Sequence, residues 1–200
     1  MKKSNIVLII LAGFVGLILL LVIIGFLYYK SNYNRMITRQ EYVAQQWSNV
    51  ENVYQRRADL IPNLVNTVKG YADFEKETLT QVIEARAKAT SINIDANNLD
   101  ANTFGQFQQA QDGLSSALSR LMVVVERYPE LKANQNFLEL QAQLEGTENR
   151  IAVERMRFNE TVGEYNRYIK MFPRNIIFKF EEKPYFESQE GTEVVPTVEF

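Results

Sequence analysis

Carboxylates, guanidiniums and amides recur through the body of this 200-residue chain at spacings that invite a chemical reading. Arg56, Arg57 and Asp59 lie almost side by side, Glu75 and Glu77 form one acidic pair, Glu181 and Glu182 another, and Gln141, Glu148 and Arg155 recur at seven-residue steps. Two carboxylates within reach of each other can share acid and base roles or hold a hard cation through oxygen alone. A four-helix bundle can host the second device, with Glu from facing helices around two metal ions. Such sites normally take Glu-x-x-His pairs, and this chain has neither His nor Cys. That absence also removes imidazole bases, thiol nucleophiles, disulfides and the usual zinc ligands. Only an all-oxygen cage for Mg²⁺ or Ca²⁺ is left, and no Asp-rich loop of the required pattern, no P-loop and no dinucleotide glycine fingerprint is present. The acidic pairs are more simply solvated surface charge. No catalysis, no metal and no cofactor is expected.

The elements that position these residues begin with a membrane segment. Residues 6–29, "IVLIILAGFVGLILLLVIIGFLYY", carry no charge, and at ~1.5 Å per residue they outspan a hydrocarbon layer of ~30 Å. A cleaved signal peptide fits poorly: the run exceeds an h-region of ~7–15 residues and ends in bulky Leu27, Tyr28 and Tyr29 without a small-x-small site. No Cys is available for lipidation. The sequence therefore predicts a short flank over 1–5 and an uncleaved transmembrane helix over 6–29, with Tyr28, Tyr29 and Tyr33 at headgroup level. Lys2 and Lys3 nearly balance Lys30, Arg35 and Arg39, and the lysines beside the start tip the body towards the extracytoplasmic side.

Composition sets the class of the remainder. At 46% hydrophobic and 23% charged residues the chain should fold around a core. Its net charge of −2 leaves no basic face for a nucleic-acid backbone. Apolar residues then fall at alternating three- and four-residue steps, the pattern of helices meeting along a seam. One series is Val43, Trp47, Val50, Tyr54, Ile61, Leu64, Val68 and Tyr71; another runs from Phe104 through Leu114 and Leu121 to Tyr128; a third runs from Phe137 through Leu144, Ile151 and Phe158 to Ile169. Asn- and Asp-rich 92–102 and Pro129 mark turns, with Asp100 positioned to cap a helix. Pro62 lacks an N–H and would clash with the carbonyl of Ala58, so a corner is expected there, dividing the first series into two rods. The predicted fold is all-α: an N-terminal transmembrane helix followed by an up-and-down four-helix bundle over 30–172, then an extended tail over 173–200.

Continuing the seam through the polar residues places Arg57 and Glu75 at inward slots of the first two helices, and Gln141, Glu148 and Arg155 at inward slots of the last. A desolvated charge costs several kcal/mol unless it is paired, so ion pairs or amide contacts are expected among them. The contrary expectation is that these long side chains hug the seam edge and snorkel to water. Arg57, Asp59, Glu75, Glu148 and Arg155 are accordingly candidates for fixing helix register.

Four segments carry a family resemblance. "RRADLIPNLVNTVKGYADFEKETL" (56–79), "EARAKA" (84–89), "QLEGTENRIAVERMRFNETVGEYN" (143–166) and the Phe172–Pro173 pair resemble the hallmark stretches of the LemA family, and "YNRMI" (33–37) after a single span is similar to its usual opening. Phe158 departs mildly, standing where a Tyr commonly precedes the Asn. The resemblance implies a bacterial protein of the cytoplasmic (inner) membrane, anchored once, with a helical-bundle body. It supplies no catalytic residue.

The tail loses the helical beat and gathers aromatic and β-branched residues instead. Ile176, Ile177, Phe178, Phe180, Tyr185 and Phe186 are expected to dock on the bundle or to stay disordered, with the bilayer surface or a partner's sheet edge as alternatives. The carboxyl end, Val198-Glu199-Phe200, has the apolar-x-apolar form that peptide-binding domains capture, so Val198 and Phe200 are interaction candidates. Gly13 and Gly16 offer a small face in the span at a spacing of three rather than the favoured four. The expected function is a structural or interaction scaffold of the bacterial envelope, partnered by the lipid bilayer, by copies of itself and by other membrane proteins. The alternative is an accessory factor that recruits a membrane transport or proteolysis partner through its tail.

Overall fold

In the computed structural model the described residues are 3–70, 75–96 and 98–187, and all their regular structure is helical. Six helices follow in order: α1 (Lys3–Lys69), α2 (Lys76–Ser91), α3 (Ala101–Val125), the single turn α4 (Pro129–Lys132), α5 (Gln135–Lys170) and the single turn α6 (Arg174–Ile177). The membrane segment and the first bundle helix are thus one rod of 67 residues, roughly 100 Å long at the usual helical rise.

The corner expected at Pro62 is absent. Pro62 lies inside α1, which continues to Lys69, and the next helix begins at Lys76. The carbonyl of Ala58, which loses its helical donor to the proline ring, instead accepts from Arg86 Nε of α2 at 2.8 Å. A neighbouring helix therefore supplies the missing hydrogen bond, and one reason to break the rod disappears. Nor is the far half of the rod short of partners, because Ile61, Leu64, Val65 and Val68 are buried with residues of α2, α3 and α5.

The body is a four-helix bundle of α1, α2, α3 and α5, lengthwise in two apolar clusters. The distal one joins Ile61, Leu64 and Val68 with Leu79, Val82, Leu114, Leu121, Phe137 and Leu144. The membrane-proximal one joins Met36, Val43, Trp47, Val50 and Tyr54 with Phe104, Phe107, Ile151, Phe158 and Tyr165. On α1 the buried residues Met36, Val43, Val50, Arg57 and Leu64 repeat every seven, and Trp47, Tyr54, Ile61 and Val68 form the companion row. That is an unbroken heptad seam running straight through Pro62.

Capping fixes the ends of the later helices. Asp100 accepts from the Thr103 N–H at 2.8 Å to open α3, and Asn134 accepts from the Phe137 N–H at 3.1 Å to open α5. Because α2 has only 16 residues against 36 in α5, the proximal half lacks a fourth helix. Ile94 and Leu99 of the linker fill part of that gap, and Phe178 and Phe186 of the tail fill the rest.

Candidate functional site

Between the two apolar clusters lies a polar layer built around Arg57. On α1 it falls between Tyr54 and Ile61, on α3 at Gln111 between Phe107 and Leu114 with Ser115 just beyond, and on α5 between Leu144 and Ile151, one residue of each pair belonging to either cluster. Arg57 is 1% exposed. Its Nη1 donates to Ser115 Oγ at 2.8 Å and to Glu148 Oε1 at 2.5 Å, and its Nη2 donates to Gln111 Oε1 at 2.6 Å and to the Gln111 carbonyl at 3.3 Å. Gln111 Nε2 in turn donates to the Ala89 carbonyl of α2 at 3.2 Å. One guanidinium and one amide therefore tie all four helices at a single level.

The fork of Arg57 thus spends both its terminal nitrogens on α3 and α5, and removing any of these partners would leave buried donors or acceptors unmet. The Nε of Arg57 has no acceptor. Glu148 is 44% exposed on its side chain and lines an open groove of about 580 Å³ with Ser115, Ser119, Gln141 and Glu145. Burial pushes the Tyr54 phenol above its ordinary value, against the pull of Arg155 and Arg57, and the Arg57 guanidinium lies 5.2 Å from that ring.

The other candidates are placed elsewhere. Asp59 is on the solvent face, where it accepts from Gln55 at 2.8 Å. Glu75 is exposed at the distal end and pairs with Arg127 at 2.7 Å, tying the start of α2 to the end of α3. Gln141 is half-buried and bonds Glu145 of its own helix. Arg155 is half-buried and serves the tail. Of the seam candidates only Arg57 and Glu148 are brought together. Val198 and Phe200 lie outside the described residues. Among the described residues no three acidic side chains converge to hold a metal ion.

The second feature is an extended strap, residues 178–187, which leaves the membrane-proximal end and runs back along the bundle. Its backbone is held by side-chain amides that imitate a neighbouring strand. Asn166 Nδ2 donates to the Lys183 carbonyl at 2.8 Å while its Oδ1 accepts from the Lys183 N–H at 2.9 Å. Two helical turns earlier, Asn159 does the same for Phe186, at 2.9 Å in both directions. Gln108 of α3 repeats the pattern at Glu187, whose carbonyl also accepts from Arg155 Nη2 at 2.7 Å. The pairing satisfies backbone groups that a strand without a sheet would otherwise leave bare. Phe186 then inserts among Trp47, Phe104 and Phe158, with ring centroids 6.2, 4.7 and 5.5 Å away. Burial pulls the Lys183 ammonium below its ordinary value, opposed by Glu181 and Asp95.

Both features fall in the stretch that decides the family. Residues 46–200 match the model of the LemA family. The chain belongs to the LemA family. Among named relatives of this LemA protein are magnetosome protein MamQ 2 of Paramagnetospirillum magneticum, 28% identical over 177 residues covering 78% of the chain and 65% of that relative, and MamQ of Magnetospirillum gryphiswaldense, 27% identical over the same shares. Protein LemA of Metamycoplasma hominis is 23% identical over 156 residues, covering 77% of the chain and 68% of that protein. The chain thus spans 65% of the length of the magnetosome relatives it matches. With α1 long and apolar enough to cross a bilayer, this LemA protein is a membrane protein.

Proposed function

We propose that this LemA protein is a non-catalytic, self-associating scaffold of the bacterial envelope, anchored once in the cytoplasmic membrane with its body on the extracytoplasmic side. The observation that carries this is the spending of the buried polar groups on helix-to-helix ties: Arg57 meets Ser115, Gln111 and Glu148, not an enclosed pocket. An enzyme places its activated groups around a space where a substrate can sit. A scaffold needs fixed register and a rigid rod, and the polar layer and the continuous α1 support that reading. Relatives that carry the name magnetosome protein are in keeping with an organising role at a membrane. Crosslinking of detergent-extracted full-length chain tests the reading: dimers and larger species are expected, and monomer alone at every crosslinker dose overturns self-association.

A tail that recruits a transport or proteolysis partner is the alternative. It draws support from the strap, which pins Glu187 to Gln108 and Arg155 and so presents whatever follows from a fixed point on the body. Deleting residues 196–200, with Val198 and Phe200, and comparing captured membrane proteins separates the two. Unchanged capture removes the recruiting tail.

A further inference from the structure

We infer that the elbow between α5 and α6 is a second membrane foothold, seating Met171, Phe172, Ile176 and Ile177 in the headgroup–acyl boundary of the bilayer that α1 enters. The level of the elbow is fixed by its ties to the outer end of the apolar segment. Asn32 is buried three residues beyond Tyr29, about 4.5 Å along the helix. Its Nδ2 donates to the Tyr28 carbonyl at 2.9 Å, and its Oδ1 accepts from Tyr168 Oη at 3.2 Å and Arg174 Nη1 at 3.5 Å. Phe178, directly after α6, lies 5.0 Å from the Tyr29 ring and 6.3 Å from the Tyr33 ring. An apolar span cannot occupy the bilayer without bringing this elbow to the interface, because polar and aromatic contacts hold the two at one height.

The chemistry of the elbow suits that position. Phe172 is 77% exposed and Ile176 72% exposed, with Met171 and Ile177 about half exposed. In water such a cluster is a liability; at a lipid boundary it is an anchor. Lys30, beside the outer end of the span, and Arg167 and Lys179, within a few residues of the elbow, are exposed cations of the kind that meet lipid phosphate, while Lys170 pairs with Glu182 at 2.7 Å. Arg174 packs its guanidinium 3.8 Å from the Tyr168 ring and donates to the Tyr168 carbonyl at 2.9 Å, which holds the turn against α5. Two footholds on one rigid body fix its tilt, where a single helix would let it swing.

The chain has no cysteine, so single Cys residues can carry an environment-sensitive nitrobenzoxadiazole probe in full-length protein reconstituted into phosphatidylcholine–phosphatidylglycerol vesicles. Phe172→Cys and Ile176→Cys report the elbow, Leu20→Cys reports the span, and Val123→Cys, at an exposed position of α3, reports the distal body. With nitroxide placed high on the lipid acyl chain, the probes at 172 and 176 are expected to lose most of their emission while the probe at 123 keeps its own. Elbow probes that behave like the one at 123 overturn the foothold. So do elbow probes that are blue-shifted yet unquenched, since protein rather than lipid then covers them. A probe at 20 that deep nitroxides leave bright shows the span outside the bilayer, and the foothold falls with it.

Discussion

The guanidinium of Arg57 and the carboxylate of Glu148 meet at 2.5 Å across 91 residues of sequence, at the level where one apolar cluster of the bundle gives way to the next. Their burial is unequal, Arg57 being sealed and Glu148 44% exposed on its side chain. The two ends should therefore respond differently to mutation. Arg57→Ala leaves Gln111 and Ser115 without their donor and opens a cavity, so a loss of roughly 3–5 kcal/mol is expected in denaturant unfolding of the full chain. Glu148→Gln keeps a neutral acceptor but takes the carboxylate from a sealed guanidinium, and with water reaching position 148 a smaller loss of roughly 2–3 kcal/mol is expected. Equal losses would place the weight on the charge pair rather than on the whole layer.

Register is separable from stability at the same site. Replacing Arg57 and Gln111 together by Met and Leu removes the guanidinium and the amide that tie the helices while nearly keeping side-chain volume, and leaves the half-exposed Glu148 to turn to water; replacing buried ionic groups in this way is often neutral or stabilising by ~1–4 kcal/mol. If the layer sets helix alignment, spin-label distances between α1 and α5 should broaden in the double variant even where the unfolding midpoint rises. Distances as sharp as in the parent chain would show that apolar packing alone sets the register.

This layer was partly legible in the sequence. Arg57 and Glu148 occupy heptad slots, so counting from Val50 and from Ile151 brings each inward. Gln111 also falls seven residues after Phe104, but it sits among other glutamines (106, 108 and 109) that face outward or lie half-buried, and nothing in its type marks it. Glu75 was misplaced because the corner assumed at Pro62 moved it onto the wrong length of helix. The Asn159 and Asn166 clamps had no signal either, since the strap they hold has no period and its pairing is tertiary.

Pro62 tests the reason the rod is continuous. In Pro62→Ala the Ala58 carbonyl regains its helical donor, and a gain of about 1–3 kcal/mol is expected, less than a full proline penalty because Arg86 already serves that carbonyl. Arg86→Met should cost about 1–2 kcal/mol in the parent chain, where it strands the carbonyl, and markedly less in the Pro62→Ala background. A double-mutant cycle by thermal unfolding measures the difference. Additive effects would mean that the Arg86 hydrogen bond is not what lets the helix run through proline.

The strap carries a built-in reporter. Trp47 is the single tryptophan of the chain, 1% exposed, and its ring lies nearly parallel to that of Phe186. Phe186→Ala removes one wall of that enclosure and should cost roughly 3–5 kcal/mol of strap docking. Emission from Trp47 is expected to shift to the red and become open to acrylamide. Asn166→Asp, which keeps the acceptor but loses the donor to the Lys183 carbonyl, should give a smaller shift in the same direction. Faster protease cleavage within 178–187 should accompany both. An unchanged Trp47 spectrum in Phe186→Ala would show that the strap does not seal the proximal core.

Asp100 gives the helix cap a pH signature. Hydrogen bonds from Thr103, its hydroxyl first and its backbone N–H next, hold the Asp100 carboxyl below the ordinary 3.8. A carboxylate whose folded value is depressed contributes stability that is complete above its unfolded value and is lost as pH falls through the folded one. The start of α3 should therefore stay capped at pH 3.8 and fray only at lower pH, releasing the Thr103 N–H. Asp100→Asn retains a good N-cap and cannot titrate, so its α3 end should be insensitive to acid over the same window. The Thr103 amide resonance followed against pH in full-length protein reports both. A titration midpoint at or above 3.8 in the parent chain, or an equal titration in Asp100→Asn, would detach the cap from the carboxylate and leave the linker 92–100 as the element that fixes where α3 begins.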